Sequence, residues 1–354
     1  MKKMKKIIGL CLATVFCVSL LASCGGGGES ADNPGGGGGS SDEPIVVRIS
    51  GSVNDNHPVT QIQYKLEELF EEATDGRYDV QVFPNGSFGN VNESLEAIQL
   101  GNLEMCDSGN MILAPYTNQL MFMDIPYLFS SHDVAMTFAK SDVAEALYDR
   151  IAEETGIRPL LPNPLGYMTI MNNVREIHTP EDLKGIKLRV QETDMYLEYF
   201  ESLGCSPIPM SLSEVFTAAQ QGTVDGVTTQ SPVFYAQGFY DVIEYVSDVN
   251  PYFCIDYLYT SEQWLNSLPE ADREIFLDCV DQAVEYGDEI ARAYIEETDE
   301  ALESLSTVTH LTDEERAVFE EAAAHMYDYF RETVNDPYLD EYLAEIEAIE
   351  ASLS

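Results

Sequence analysis

"IKLRVQETDMYLEYFESLGCSPIPMSLSEVFTAAQQGTVDGVTT", residues 186–229, contains the alternation that decides the fold. Short runs rich in β-favouring residues alternate with helix-length segments, and Gly204 and Gly222 mark the ends of two of those segments. Strands that alternate with helices across short Gly-marked joints are typical of α/β units. We therefore expect an α/β fold, in which IKLRV, CSPIPM and VDGVTT are strands.

The same alternation occurs earlier in the chain. "IVVRIS" (45–50), "RYDVQVF" (77–83) and "IRPLLPNPLGYMTIMN" (157–172) are strand-like, and helices dominate from Ser261 onwards. "HTPEDLKG" (178–185) predicts a short helix, with Thr179 as its N-cap and Gly185 as its stop. The chain from Pro44 onwards is longer than a single hydrophobic core usually accommodates, which predicts two lobes.

The charge of the chain is strongly negative. There are 62 Asp and Glu against 18 Lys and Arg; all of the acids follow Cys24 and four of the cations precede it, which leaves a net charge of −48 after Cys24. Such a chain repels nucleic acid and anionic lipid surfaces. We expect no nucleic-acid partner, and solubility outside the cell accounts for the acidity.

The N-terminus reads as a targeting segment. Residues 1–23 combine four lysines with an apolar run, as a signal peptide does. Cys24 follows small residues and resembles the lipidated Cys of a bacterial lipobox, and residues 24–44 read as a flexible Gly/Ser-rich tether. This predicts a lipoprotein anchored at the cell membrane on its extracytoplasmic face. An ordinary secretory signal with an incidental Cys is the alternative.

Motifs for catalysis or metal binding are missing from the sequence. The five histidines form no HExxH pattern, and no GxSxG, P-loop or GxGxxG motif occurs. Four cysteines follow Cys24, without a close CxxC pair, and buried free thiols are favoured over disulfides. We predict no enzyme activity, no cofactor and no metal site.

Two motifs carry a family resemblance. "TPEDLKGIKLRV" (179–190) and "LGCSPIPMSLSEVFTAAQQGTVDG" (203–226) are similar, nearly position by position, to motifs of the extracytoplasmic solute receptors of TRAP transporters, the DctP-like family. "FPNGSFGNVNESLEAIQLGNLEM" (83–105) and "DIPYLFSSHDVA" (124–135) resemble further family segments in the same order. The resemblance covers nearly all of residues 45–330.

The resemblance implies a two-lobed periplasmic-binding-protein-like (flytrap) fold, in which crossing strands and a long helix link the lobes. Lobe I is then expected at 45–165 and 255–294, and lobe II at 166–254 and 295–350. It also implies capture of a small organic acid between the lobes and delivery to TRAP membrane permease subunits for ion-gradient-driven uptake. The alternative function is that of a surface lipoprotein that senses a ligand and passes the signal to a signalling receptor.

Arg189 matches the arginine that grips the ligand carboxylate in this family. A guanidinium presents a planar donor fork that fits a carboxylate through two hydrogen bonds. Lys187 has the same side-chain parity on an extended strand, but we expect it to be solvated or salt-bridged. A surface Arg paired with one of the many acids remains the alternative for Arg189.

Other binding residues follow from departures of this sequence from the family pattern. A second family Arg falls at Met168 or Thr169, the Asn after "VDG" at Thr229, and a polar lobe I contact at Gly109 or Asn110. With the second cation missing, we hypothesise an apolar monocarboxylate ligand.

The loop after the first strand supplies the last candidates, because α/β crevices bind ligands at the carboxyl ends of strands. Asn56 and His57 lie in this loop. Both are plausible ligand contacts, and a structural loop histidine is an equal alternative for His57.

Overall fold

A computed structural model describes residues 43–353 of the protein. The signal peptide (1–23), Cys24 and nearly all of the tether lie outside these residues. Within the described part of the chain, ten strands were found: β1 (Ile45–Ser50), β2 (Tyr78–Phe83), β3 (Met105–Gly109), β4 (Ile157–Asn172), β5 (Lys187–Val190), β6 (Ser206–Pro209), β7 (Gly226–Gln230), β8 (Tyr245–Ser247), β9 (Phe253–Ser261) and β10 (Thr307–Thr309).

Helices connect and cover these strands. They are α1 (Pro58–Ala73), α2 (Val91–Gln99), α3 (His132–Ala139), α4 (Asp142–Thr155), α5 (Asp194–Ser202), α6 (Leu212–Gln220), α7 (Ser231–Ala236), α8 (Glu262–Ser267), α9 (Glu270–Leu305), α10 (Asp313–Ala323), α11 (His325–Thr333) and α12 (Leu339–Leu353). None of these helices is both long and apolar enough to cross a bilayer. The predicted α/β class is confirmed, and so is the short helix at Pro180–Leu183, a 3-10 turn with a capping box from Thr179.

The strands form one mixed sheet in the order β2-β1-β3-β9-β4-β7-β5-β6, and β8 pairs with both β4 and β10. The β2, β1 and β3 strands are mutually parallel, as are β7, β5 and β6. Antiparallel β9 and β4 lie between these two groups. Helices that connect parallel strands cover both faces of the sheet. The apolar sequences of the strands in this chain agree with a sheet that is buried on both faces.

Strand β4 is the element that joins the two groups. Its first part, up to Tyr167, pairs with β9, and from Met168 onwards it pairs with β7. Gly166 lies at this change of partner, beside a register shift, with φ at +88°. β4 contains three prolines; Pro159 and Pro164 lie at register shifts, where irregular pairing relieves the need for a ladder N–H, and Pro162 lies in the part of β4 that pairs with β9 on one side only.

The long helix α9 packs against both groups of elements. At 36 residues it spans about 54 Å. Gly287 lies so close to Ile62 of α1 that a Cβ there would collide with the Ile62 side chain, and Ile295 packs against Gly166 of β4. A strand and a helix therefore run through both groups, as a flytrap fold requires. The lobe boundaries that we assigned at residues 165/166, 254/255 and 294/295 stay a prediction.

Candidate functional site

Arg189 lies near the end of β5, a central strand flanked by β6 and β7. Its side chain is buried, at 4% exposure, and among the residues that the structure describes it is the only Lys or Arg that is. The Nε atom donates to the Met210 carbonyl at 2.8 Å and Nη1 to the Thr228 carbonyl at 3.3 Å. The remaining nitrogen, Nη2, makes no protein hydrogen bond within residues 43–353.

No carboxylate of residues 43–353 lies within 4.0 Å of the Arg189 guanidinium. Burial lowers the pKa of this guanidinium to about 10, while Glu192 and Tyr196 act in the opposite direction. A buried cation without a counter-ion carries an uncompensated desolvation penalty. An anion that reaches Nη2 would relieve that penalty.

Lys187 behaves differently although it lies on the same strand. Its Nζ donates to the Gly222 carbonyl at 2.6 Å and forms an ion pair with Asp225 at 3.2 Å. Lys184 is paired with Glu181 in the preceding turn. Lys184 and Lys187 are therefore paired at the surface, whereas Arg189 is buried without a counter-ion among residues 43–353, and the expectation that Lys187 is solvated or salt-bridged is confirmed.

Thr229 and Thr169 lie directly opposite each other on β7 and β4. Arg189 is opposite Val227, two residues before Thr229, so all three side chains share one face of the sheet. Both threonines are buried; Oγ1 of Thr169 donates to the Thr229 carbonyl at 3.1 Å. The structure thus brings together three of the predicted residues. Their contact with a ligand remains a prediction.

Met168 lies on the opposite face from this trio, across from Gln230. Its side chain is fully buried in the large hydrophobic core that also contains Tyr196 and Tyr252. Of the two alignment alternatives, Thr169 is therefore the residue that shares the face of Arg189. The predicted role of Met168 as a ligand contact requires that this core opens.

His57 is the N-cap of α1, because its Nδ1 accepts the N–H of Val59 at 3.3 Å. The ring is buried and packs edge-on against Tyr294, with 5.6 Å between ring centroids. Burial lowers the pKa of the His57 ring to about 4. These contacts support the structural alternative for His57. The adjacent Asn56 is exposed, and its backbone N–H bonds to the Asn54 side chain.

Asn110 is half-buried after β3 and donates from Nδ2 to the Asp124 carboxylate at 3.0 Å. Asp124 itself is buried, and its Oδ2 has no partner among the described residues. Burial raises the pKa of the Asp124 carboxyl to about 7, although the bond from Asn110 lowers it. Burial and, to a smaller extent, the nearby Asp124 carboxylate raise the pKa of the Tyr196 hydroxyl, whereas Arg189 lowers it.

Sequence reasoning missed Asp124 and Tyr196. The signal for Asp124 is a single acid inside the apolar run "LMFMDIPYLF" (120–129). A carboxyl in such a run is either paired or neutral when buried. Tyr196 gave no comparable signal, because a Tyr at a helical core position is ordinary.

Two cavities lie near the partner change in β4. One, of about 600 Å³, is lined by Tyr127, Tyr167 and Arg316, and the other, of about 400 Å³, by Thr169, Tyr167 and His310, among others. Arg189 lines neither of them. We locate the candidate site by its unpaired charge because volume alone does not identify a carboxylate site.

The described residues include no group of three or more His, Cys, Asp or Glu that could hold a metal ion. The four cysteines after Cys24 are free: Cys106, Cys205 and Cys279 are buried and Cys254 is half-buried. The expectation of free thiols is confirmed.

Comparison with known proteins relates this arrangement to one family. The family model described as bacterial extracellular solute-binding protein, family 7, matches residues 49–333. The chain is 28% identical over 310 residues to the C4-dicarboxylate-binding periplasmic protein DctP of Shewanella loihica, which covers 85% of this chain and 90% of that protein. It is 30% identical over 253 residues to a solute-binding protein of Verminephrobacter eiseniae, covering 72% and 73% of the two chains.

Solved structures agree in fold. A TRAP periplasmic solute binding protein from Shewanella oneidensis with bound succinate superposes with a TM-score of 0.79 at 26% identity, covering 86% of this chain and 100% of that one. A second, from Ralstonia eutropha H16 with bound (S)-2-acetolactate, has a TM-score of 0.78 at 25% identity, covering 86% and 99%. Succinate is a dicarboxylate and acetolactate a monocarboxylate, so proteins similar to this one bind both.

Proposed function

Because the chain belongs to the bacterial extracellular solute-binding proteins of family 7, we propose that it is the extracytoplasmic receptor of a TRAP transporter. It captures a small organic acid in the cleft between its lobes. It then delivers this acid to the membrane permease subunits for uptake driven by an ion gradient. Such a receptor binds and releases its ligand without converting it chemically.

The observation that carries this proposal is the unpaired guanidinium of Arg189. In a chain with 62 acidic residues, a buried cation that no carboxylate of residues 43–353 neutralises is available for an external anion. A charged hydrogen bond contributes about 1.5–3 kcal/mol, whereas micromolar affinity needs about 8 kcal/mol. Arg189 therefore orients the acid, and further hydrogen bonds and apolar contacts supply the rest.

The charges near Arg189 favour a monocarboxylate. No second buried Lys or Arg occurs in the part of the chain that the structure describes. Thr229 and Thr169, on the face of Arg189, offer hydroxyl groups that suit a neutral polar group of the ligand. Asn110 and Asn56 complete the proposed lining, Met168 joins it when its core opens, and His57 supports it as the N-cap of α1.

The protein is proposed to act at the outer face of the cell membrane, held there by a lipid on Cys24. The support is the sequence of residues 1–44 together with an extracellular family. Replacing Cys24 by Ala should release the protein from the membrane fraction into the soluble fraction. Retention of the Cys24→Ala variant in washed membranes would contradict lipid anchoring and leave the receptor function untouched.

A thermal-shift screen of the purified protein tests the receptor proposal. Small monocarboxylates and dicarboxylates are added at equal concentration to wild type, Arg189→Ala and Lys187→Ala. We expect a carboxylate-induced rise of the unfolding midpoint in wild type and Lys187→Ala, and none in Arg189→Ala. Lys187→Ala is the matched control, because it removes a cation from the same strand.

Separate outcomes test the role of Arg189 and the choice of a monocarboxylate. A full ligand-induced shift in Arg189→Ala would remove Arg189 from the site. Tighter binding of succinate than of branched or aromatic monoacids, measured by calorimetry on wild type, would reject the monocarboxylate assignment. Uptake of the radiolabelled acid into cells should also depend on the membrane permease subunits.

A further inference from the structure

A second group of buried polar side chains lies under α1, apart from Arg189. Gln63 of α1, Asp107 of β3, Asn163 of β4 and Asp256 of β9 are each at most 6% exposed. All four line one small cavity, whose other walls are apolar: Val59, Ile62, Leu161, Tyr257 and Leu258. The space that a guest can enter is about 10 Å³, which is room for one water-sized particle.

The four side chains converge because of strand register. Asn163 lies directly opposite Asp256 across the β4–β9 pair. Asp107 lies opposite Leu258, two residues from Asp256 on β9, so both acids point to the same face of the sheet. Helix α1 covers this face. Gln63 of α1 donates from Nε2 to Oδ2 of Asp107 at 2.8 Å, and the Ser52 N–H bonds to Oδ1 at 2.7 Å.

Several polar atoms around this cavity have no partner within residues 43–353. Neither the Oδ1 nor the Nδ2 atom of Asn163 makes a hydrogen bond, and neither does Oε1 of Gln63. No Lys, Arg or His of the described chain lies within 4.0 Å of the Asp107 or Asp256 carboxylate. Buried polar groups are nearly always paired, and two buried carboxyl groups without a cationic side chain are neutralised either by protonation or by a bound cation.

We propose that this cavity binds one dehydrated monovalent cation, sodium, between the carboxylate oxygens of Asp107 and Asp256 and the amide oxygens of Gln63 and Asn163. The donor set consists only of oxygen, which suits hard cations and not thiolate- or imidazole-seeking metals. Calcium takes six to eight oxygen ligands and magnesium keeps several waters, for which the cavity lacks space. A water molecule would fill the volume but would leave the two acids to be neutralised by protonation alone.

Thermal unfolding in different salts tests the sodium site. The purified protein is dialysed into choline chloride, and sodium, potassium or choline chloride is then added at one fixed ionic strength, without organic acid. We expect the unfolding midpoint to rise saturably with sodium, less with the larger potassium ion, and not with choline. Because no carboxylate ligand is present, failure here would leave the receptor proposal untouched.

Substitutions of the cavity residues test whether the sodium response comes from this cavity. Asp256→Asn and Asn163→Leu should each raise the sodium concentration needed for half of the effect at least tenfold. Asp124→Asn is the matched control: it removes an equally buried acid with an unpartnered oxygen outside the cavity, and should keep the wild-type response. Equal midpoints in sodium and choline would mean a trapped water only and would overturn the proposal. So would a sodium response that survives both cavity variants, or a response to calcium alone.

Discussion

The Nε atom of Arg189 donates to the Met210 carbonyl oxygen at 2.8 Å, across the gap between β5 and the turn that precedes α6. Together with the Nη1 bond to Thr228, this contact holds the plane of the guanidinium by two backbone anchors. The fork therefore has a set direction before any ligand arrives. Preorganisation of this kind saves the entropy of ordering a long side chain on binding.

Replacing Arg189 by Lys should weaken carboxylate binding at least tenfold while the protein stays folded. An ammonium is a point charge without a planar fork, and it cannot keep both backbone bonds and grip a carboxylate. Calorimetry with the acid found in the screen measures the change. Lys187→Arg on the same strand should bind as wild type does. An affinity of Arg189→Lys within twofold of wild type would mean that only charge matters at this position.

Replacing Thr229 by Val should reduce the affinity for the acid about fivefold, since one neutral hydrogen bond contributes about 1 kcal/mol. The Thr229 hydroxyl lies within 3.3 Å of the Gln230 side chain, and it can rotate toward a ligand. Thr169→Val is the control, because the Thr169 hydroxyl already donates to the Thr229 carbonyl. This variant should lose stability and less affinity than Thr229→Val, because a hydroxyl that already donates can only accept from the ligand; a larger loss of affinity than in Thr229→Val would exchange the roles of the two threonines.

His57 should make the protein less stable as the pH falls. An unfolded chain binds a proton at this ring near pH 6.5, whereas the folded ring has a pKa of about 4 because it is buried. Stability from this group is therefore full above about pH 6.5 and is lost as the pH falls toward 4. His57→Asn keeps a capping side chain and removes the titration. Relative to wild type, it should gain up to about 3 kcal/mol in free energy of unfolding over this window.

Urea unfolding at several pH values measures that difference. The control is His310→Asn, since hydrogen bonds to Asp248 and Glu303 raise the pKa of the exposed His310. A raised folded pKa contributes stability that is lost as the pH rises, so this variant should show a small change of opposite sign. Parallel pH curves for wild type and His57→Asn would show that the ring accepts a proton without unfolding.

Replacing Gly166 by Ala should destabilise the protein more than replacing Gly185. Both glycines have positive φ, +88° and +79°, and a left-handed backbone costs a residue with a Cβ about 1–2 kcal/mol. At Gly166 the added Cβ would also lie 3.2 Å from Cδ1 of Ile295, whereas nothing lies within 4 Å at Gly185. Chemical denaturation should give a larger loss for Gly166→Ala.

Shortening Ile295, which contacts Gly166, tests whether this contact causes the extra loss of stability. Ile295→Ala should recover part of the cost of Gly166→Ala and none of the cost of Gly185→Ala. Equal effects of the two glycine variants would mean that α9 moves aside freely, so that the contact between β4 and α9 is loose.

The periodicity of the sequence was enough for most of the local structure. The strand predicted at 157–172 has the same bounds as β4 despite three prolines, because its apolar residues continue through them. Thr179 and Gly185 were sufficient to predict the short capped helix, since capping depends on neighbouring residues alone. Gln63, Asp107, Asn163 and Asp256 could not be grouped in advance, because 44 to 193 positions separate Gln63 from the other three and only strand register brings them together.

The sequence by itself determined the α/β alternation, the family and the choice of Arg189, because these depend on residue type and local spacing. Only the tertiary structure decided which charges are neutralised. Lys187 and Arg189 are two residues apart and share a face, yet Lys187 reaches Asp225 whereas Arg189 is buried against backbone carbonyls. Solvation and pairing are set by what folds over a side chain, and no local pattern carries that information.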